Sequence, residues 1–289
     1  MPGDIIAAAL INGLLIGGVY ALVALGLTLI YGVLHIVNFA HGSLLMMGMF
    51  ASYLLATKMG IDPYLGLPLV AALMGAVGWL LYRFVIGTVS RGEDRAILLA
   101  TLGLSVVLDN LALVLFTGDT RQLETPLTFE MLEVGPLLLS VPKIISFSVS
   151  LALAGAMWAF MALTDTGRAI RAVAREPDGA RLMGIRPDRI FALAYAIGIA
   201  CLGAAACLLL PTFYVSPAVG NVFVLVAFTI VVLGGMGSFP GAMAGGMIIG
   251  VTESLGGLFL GESLGPICIS LMFIAVLLFR PTGLFGARA

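Results

Sequence analysis

Long apolar stretches separated by short polar segments run through the whole sequence. The first uncharged stretch, residues 5–57, holds two membrane spans, because one transmembrane helix needs about 20 apolar residues, and its break is predicted at 35–43. Further spans are predicted over 63–82, 96–116, 141–163, 190–210, 221–233, 242–258 and 265–279. The count is eight if the Gly-rich segment 234–241 lies inside one interrupted feature, or nine if it is the turn of a hairpin.

Composition supports the same class. Charged residues make up 10% of the chain and hydrophobic residues 61%, with a mean hydropathy of +1.16, whereas soluble domains carry about 25% charge. A β-barrel is excluded because it shows short alternating segments. The chain is therefore predicted to be an all-α polytopic membrane protein with Gly/Pro-broken helices, its residues 1–289 forming a single domain. The first apolar stretch is interpreted as a retained span.

One charged segment, residues 165–189, stands out from this apolar background. It contains six arginines and four acids, and the 63 residues that follow it carry no charge. A single charge at a helix centre costs roughly 2.5–3.5 kcal/mol on insertion scales, so this segment is predicted to be a water-facing loop. The spacing of Arg168, Arg171 and Arg175 places them on one face of a short helix. Pro177 is expected to start a second helix that ends near Gly184, and Pro187 to end the pattern.

The basic residues are distributed unevenly between the two sides of the membrane. If the loop after span three, the charged segment and the C-terminus share a side, that side holds eleven of the fourteen basic residues, including Arg91 and Arg288. By the positive-inside rule this side is cytoplasmic. The acidic loop 117–137 is then outside, and nine crossings would place the N-terminus outside. The abundance of arginines suggests a docking surface; an ordinary positive-inside loop is the alternative.

Several polar residues fall inside predicted spans, where they are costly unless hydrogen-bonded. They are interpreted as a translocation pathway or, alternatively, as hydrogen bonds that hold helices together, with Asn38 and His41 possible residues of a cytoplasmic mouth. The candidates are Asn12, Tyr20, Asn38, His41, Ser43 and Glu253, together with Asp109 as a second acid at membrane depth.

The sequence carries no motif for chemistry of its own. The Gly-rich segment 234–241 lacks the Lys-Ser/Thr that completes a phosphate-binding P-loop, so a turn or helix break is predicted there. No zinc motif, nucleophile elbow or pair of catalytic carboxylates is evident, and neither an enzyme nor a bound cofactor is expected. Energy for any transport would have to come from another chain or from an ion gradient.

Several motifs resemble one family of transport proteins. Asn38-Phe39-Ala40-His41-Gly42, Gly234-Gly235-Met236-Gly237-Ser238, the closing segment 280–286 and the charged-segment motifs 166–172 and 180–185 are similar to the permeases of branched-chain amino acid ABC importers. The similarity extends from residue 12 to 286, and the length resembles the LivH-type subunit. The charged segment also resembles the importer coupling motif, with Asp178-Gly179-Ala180 in place of Glu-Ala-Ala.

This resemblance implies a multi-pass permease domain in a prokaryotic cell (inner) membrane, with residues 165–189 as its cytoplasmic coupling loop. The implied partners are a LivM-like second permease, two ATP-binding subunits that hold the ATP, and an external solute-binding protein, with no nucleic acid. The residues implied in coupling are Gly167, Arg168, Arg171, Asp178, Ala180 and Gly184. Two alternatives remain open: an ion-coupled secondary transporter, and an ABC permease for urea or short amides.

Overall fold

The computed structural model describes residues 3–89, 94–134, 137–261, 264–280 and 283–285. Arg91, Arg288 and parts of the closing motif lie outside these described residues. The helices, in chain order, are α1 (Gly3–Leu34), α2 (His41–Met59), α3 (Pro63–Leu81), α4 (Gly87–Val89), α5 (Asp94–Phe116), α6 (Val141–Leu163), α7 (Asp165–Arg175), α8 (Pro177–Leu182), α9 (Pro187–Leu209), α10 (Val219–Gly234), α11 (Phe239–Leu260) and α12 (Gly265–Phe279).

Six of these helices are long and apolar enough to cross a membrane, and α10 and α12 are shorter apolar helices. The helix α2, with 19 residues, packs in the same bundle but is less apolar than these eight. The predicted class of an all-helical polytopic protein is confirmed. The one sheet described is a small antiparallel hairpin of β1 (Met131–Val134) and β2 (Leu137–Ser140), which lies just before α6.

The longest helix, α1, lies at the centre of the bundle and is almost wholly buried from Leu15 onward. Its neighbours approach through glycines. A Cβ at Gly17 would lie 2.7 Å from the carbonyl oxygen of Gly246 in α11, and one at Gly198 in α9 would lie 2.8 Å from that of Gly26. Small residues at helix contacts permit this close packing in a membrane, where burial of apolar surface does not drive helices together.

Two helices begin inside the bundle. After α1 ends, His35 adopts a φ of 56° and residues 35–40 turn back, so that α2 begins at His41 beside Val23, about three turns before the end of α1. After α9 ends, residues 210–218 lead to α10. The starts of α2 and α10 meet at Gly42 and Gly220, where a Cβ on Gly42 would lie 2.8 Å from the carbonyl carbon of Gly220.

The segment 234–241 is the turn of a hairpin. The backbones of Gly234 and Gly241 touch, and a Cβ at Gly245 would lie 3.0 Å from the carbonyl oxygen of Ile230, so α10 and α11 pack antiparallel. Ser238 caps α11 by accepting a hydrogen bond from the amide of Gly241. This geometry matches the hairpin alternative of the sequence-based prediction.

Several sequence-based boundaries differ from the structure, and α11, for example, begins at Phe239 instead of residue 242. The sixth span does not start at residue 190: α9 starts at Pro187, because a proline suits the first turn of a helix and charged residues there can face water at the membrane surface. Pro187 thus opens a span instead of closing the charged segment. The third span also continues, because α3 runs on through a π-helical turn, Tyr82–Ile86, into α4.

Candidate functional site

The helices α7 and α8 form the candidate docking site and lie at one end of the bundle, beside the α10–α11 turn; we call this the coupling end. Residues of α7, of the last turns of α1 and of the α10–α11 turn line one cavity there, about 480 Å³ in volume. The buried side chains of Ile170 and Val173 attach α7 to the bundle. The charged segment is therefore a pair of helices of which α7 packs against the bundle.

Gly167 lies at the sharp connection between α6 and α7. Its amide donates to the Thr164 hydroxyl at 3.0 Å, which caps α7. A Cβ at this position would lie 2.6 Å from the carbonyl oxygen of Phe160. Because it has no side chain, Gly167 allows α7 to pack tightly against the end of α6.

The other predicted coupling residues divide between the surface and the interior. Arg168, Arg171 and Asp178 are exposed, and Arg168 forms a 2.9 Å ion pair with Asp165. Ala180 is buried, because α8 turns that side toward its own chain. The predicted role of Ala180 in coupling stays a prediction.

Two apolar side chains project from the end of α8. Leu182 is 90% exposed and Met183 is 83% exposed. Gly184 follows with a φ of 84°, a conformation that other residues rarely adopt, and turns the chain toward α9. Both residues lie within the predicted coupling motif 180–185, although neither was named as a coupling residue. The sequence pattern that marks this apolar tip is a Leu-Met pair within a charged segment, directly before a glycine.

Asn38, His41 and Ser43 come together around the start of α2, and all three are buried. The Asn38 amide donates to the Tyr195 hydroxyl at 3.0 Å. His41 Nε2 lies 3.0 Å from the carbonyl oxygen of Val23, and the hydroxyls of Ser43 and Ser105 are 2.8 Å apart. These contacts tie the start of α2 to α9, α1 and α5, so the three side chains hold the interrupted helix in place.

The remaining predicted pathway residues lie apart from this group. Tyr20 is buried between Phe213 and Phe223, with ring centroids 6.4 and 6.0 Å away, and it interacts with Glu253 of α11. Asn12 accepts a 3.3 Å hydrogen bond from Lys143 of α6. The predicted residues thus form separate clusters along α1, and their role in a pathway stays a prediction.

A different set of polar residues faces outward from the chain. Asp109 is half-buried, and Asn110 and Asn221 are exposed, although they lie on α5 and near the start of α10. Ser105 contacts Ser43 of α2, and Asp109 follows Ser105 by four residues, or about one helical turn. Asp109 therefore lies on the side of α5 that faces α2. Asn110 was noted beside Asp109 in the sequence, whereas Asn221 was not a candidate. Their exposure distinguishes them from the buried polar residues around the start of α2, and exposure cannot be inferred from one sequence.

Similarity to known proteins follows the whole length of this architecture. A family model described as "Branched-chain amino acid transport system / permease component" matches residues 9–279. The branched-chain amino acid transport permease BraD of Pseudomonas aeruginosa is 34% identical over 96% of this chain and 94% of its own length. The permease LivH of Escherichia coli K12 is 35% identical over 95% of this chain and 94% of its own length.

A solved structure, PsaBC from Streptococcus pneumoniae in complex with Fab, includes a chain with a similar fold. Its TM-score is 0.53 with 16% sequence identity, and the match covers 96% of this chain and 92% of that chain. At this identity the likeness concerns the fold alone. Because the family model and the relatives cover nearly all of the chain, it belongs to the family of permease components of branched-chain amino acid transport systems.

Proposed function

We propose that this chain is the membrane-spanning subunit of an ATP-driven importer that moves branched-chain or closely related amino acids inward. The observation that carries the proposal is the α7–α8 pair, a packed, charged platform with an exposed apolar tip, on a chain of this permease family. The proposed partners are two ATP-binding subunits, a LivM-like second permease and an external solute-binding protein.

The ATP-binding subunit would dock on the coupling end from the cytoplasm. Leu182 and Met183 would enter an apolar pocket of that subunit, since exposed apolar side chains of this size are typical interface anchors. Arg168, Arg171 and Asp178 would form the polar rim around them. Because Ile170 and Val173 fix α7 to the bundle, a push on the platform would be passed to α1, α6 and α9, so that ATP binding favours one of two permease states.

The second permease would pack against α5 and the start of α10. Exposing Asp109, Asn110 and Asn221 to lipid is costly, whereas a subunit interface with a water-filled pathway would hydrate them. The Ser43–Ser105 and Gly42–Gly220 contacts place these residues on either side of the start of α2. The pathway would therefore run past the place where α2 and α10 begin.

This location fits the charge of an amino acid. The starts of α2 and α10 present positive helix-dipole ends, which suit a carboxylate. Asp109, one turn farther along α5, would suit the ammonium group. Asn38, His41 and Ser43 would position these helix starts without touching the substrate.

Transport by reconstituted vesicles tests the proposal. Vesicles that contain this chain with its second permease, ATPase subunits and binding protein should take up labelled leucine, isoleucine or valine only when ATP is supplied to the ATPase side. Excess urea or acetamide should not compete. Uptake by this chain alone, driven by a proton or sodium gradient, would show instead that it is an ion-coupled transporter.

A variant of the apolar tip tests the docking site. Leu182→Asp should lower co-purification of the ATPase subunit at least about tenfold, because an interface anchor contributes roughly 2 kcal/mol or more, while the melting temperature of the permease stays unchanged. Leu132→Asp, an equivalent change at an exposed position of β1, is the matched control and should retain the ATPase. Equal retention by both variants would contradict docking at this tip.

A further inference from the structure

A second feature of the coupling end is a basic cleft that the proposed transport mechanism does not use. It has a volume of about 730 Å³ and lies between the end of α3 with its π-helical turn and the connection from α8 to α9. One wall carries Trp79, Tyr82 and Arg83, and the facing wall carries Arg181, Arg186 and Arg189. All four arginines are exposed.

Among the side chains that the structure describes, the lining of this cleft holds four arginines and one acid, Asp188. A second acid, Asp178, lies 3.6 Å from Arg181 but outside the lining. Arg186 is the N-cap of α9, and Arg189 lies in its first turn. Cations are unfavourable at this end of a helix because it carries the positive end of the dipole. An anion in the cleft would offset the repulsion among the arginines and also the unfavourable interaction of Arg186 and Arg189 with the helix dipole.

The position of the cleft indicates where such an anion comes from. Trp79 and Phe84 are 48% and 70% exposed at the same helix end. Tryptophan is enriched where a membrane meets water, and basic pockets between helices on the cytoplasmic side bind lipid headgroups. The arginines would contact a phosphate while acyl chains lie along the exposed apolar side of α3.

We propose that this cleft binds the phosphate headgroup of an anionic phospholipid. Arginine suits this role because its planar guanidinium donates two parallel hydrogen bonds to phosphate oxygens. The bound headgroup would join the end of α3 to Arg181, beside Gly184, and so steady the platform. This inference goes beyond the transport function and does not depend on which substrate is carried.

Lipid retention by the full chain tests the inference. The chain, purified in detergent, is titrated with phosphatidylglycerol or phosphatidylcholine, and bound lipid is counted by native mass spectrometry. Phosphatidylglycerol should bind, and Arg186→Gln with Arg189→Gln should weaken it roughly 25-fold, or about fivefold for each arginine. The control, Arg175→Gln with Arg280→Gln, removes two exposed arginines from the same end but outside the cleft and should change binding less than about twofold.

Three results would overturn the proposal: equal binding of both lipids, equal loss in the control variant, or full displacement of phosphatidylglycerol by an excess of glycerol phosphate. The last result would identify a soluble phosphate compound as the ligand. A melting curve for each variant guards against unfolding. If the cleft double variant melts early, Arg83→Gln on the opposite wall replaces it, with an expected loss of about fivefold.

Discussion

Two groups of polar residues lie at membrane depth in this chain, and they differ in which way they face. Asn38, His41 and Ser43 are buried, and each has a hydrogen-bonding partner on another helix. Asn110 and Asn221 are exposed on the surface of the chain, and Asn110 bonds to Val106 of its own helix. Residue type and hydropathy are similar in the two groups, so only the fold separates them.

The difference bears on function. A buried polar residue with a long-range partner holds two helices together, and removing it should reduce stability. An exposed one at the same depth would be costly in lipid, so it indicates a surface covered by another subunit or by a water-filled path. Stability and transport should therefore respond to different substitutions in the two groups.

Overpacking the junction of the two interrupted helices should have the largest effect. Gly42→Leu would force a side chain into the backbone of Gly220, and we expect a loss of 3 kcal/mol or more, at the upper end for overpacked cores, and little folded protein. Gly155→Leu, at a position with nothing within 4 Å of an added Cβ, should fold normally. Similar yields and melting temperatures for the two variants would contradict the tight junction.

Removing the charge of Asp109 should have the second-largest effect. Asp109→Asn should lower ATP-driven uptake about tenfold or more, because a hydrogen bond to a charged group contributes roughly 1.5–3 kcal/mol, with no fall in melting temperature. Uptake kinetics and thermal melting are measured on the same reconstituted sample. Undiminished uptake would remove Asp109 from the proposed pathway.

The buried histidine should show the opposite pattern. His41→Leu removes the hydrogen bond from Nε2 to the Val23 carbonyl oxygen, which should cost about 0.5–1.5 kcal/mol in stability. Uptake, corrected for the folded fraction, should fall less than about twofold, well below the tenfold change that 1.4 kcal/mol would produce. A large loss of uptake with an unchanged melting temperature would instead place His41 in contact with the substrate.

The smallest effect is expected at the pair of serines. Ser43→Ala should lower stability by about 0.6 kcal/mol, the average for hydrogen bonds between membrane helices. A double-mutant cycle with Ser105→Ala in chemical denaturation measures the coupling between the two hydroxyls. Additive effects of the two changes would show that the 2.8 Å contact contributes nothing to stability.

The spans themselves could be predicted from the sequence, because a long apolar stretch has few other structures available to it in a membrane. Residues 141–163 and 265–279 were predicted with the bounds that the structure has. The start of α9 was missed because Asp188 and Arg189 suggested a loop, although both fit the first turn of a helix at the membrane surface.

The site was less predictable. The break near residue 35 was predicted, but its return into the bundle depends on partners far away in the chain, such as Tyr195 for Asn38, which are 157 residues apart. Which side of the short helix α8 is buried could not be inferred either, because six residues are too few to define an apolar stripe. The burial of Ala180 and the exposure of Leu182 are therefore known only from the structure.

Labelling of a single cysteine at position 221 tests most directly whether the exposed polar residues face the transport path. Cys201, Cys207 and Cys268 are first replaced by alanine, and Asn221→Cys is compared with Val114→Cys, an exposed apolar position on α5. In the assembled transporter, a membrane-impermeant thiol reagent should modify position 221 but not 114, and saturating leucine should slow the reaction. Equal labelling at both positions, or no labelling at 221, would contradict a water-filled path along this surface.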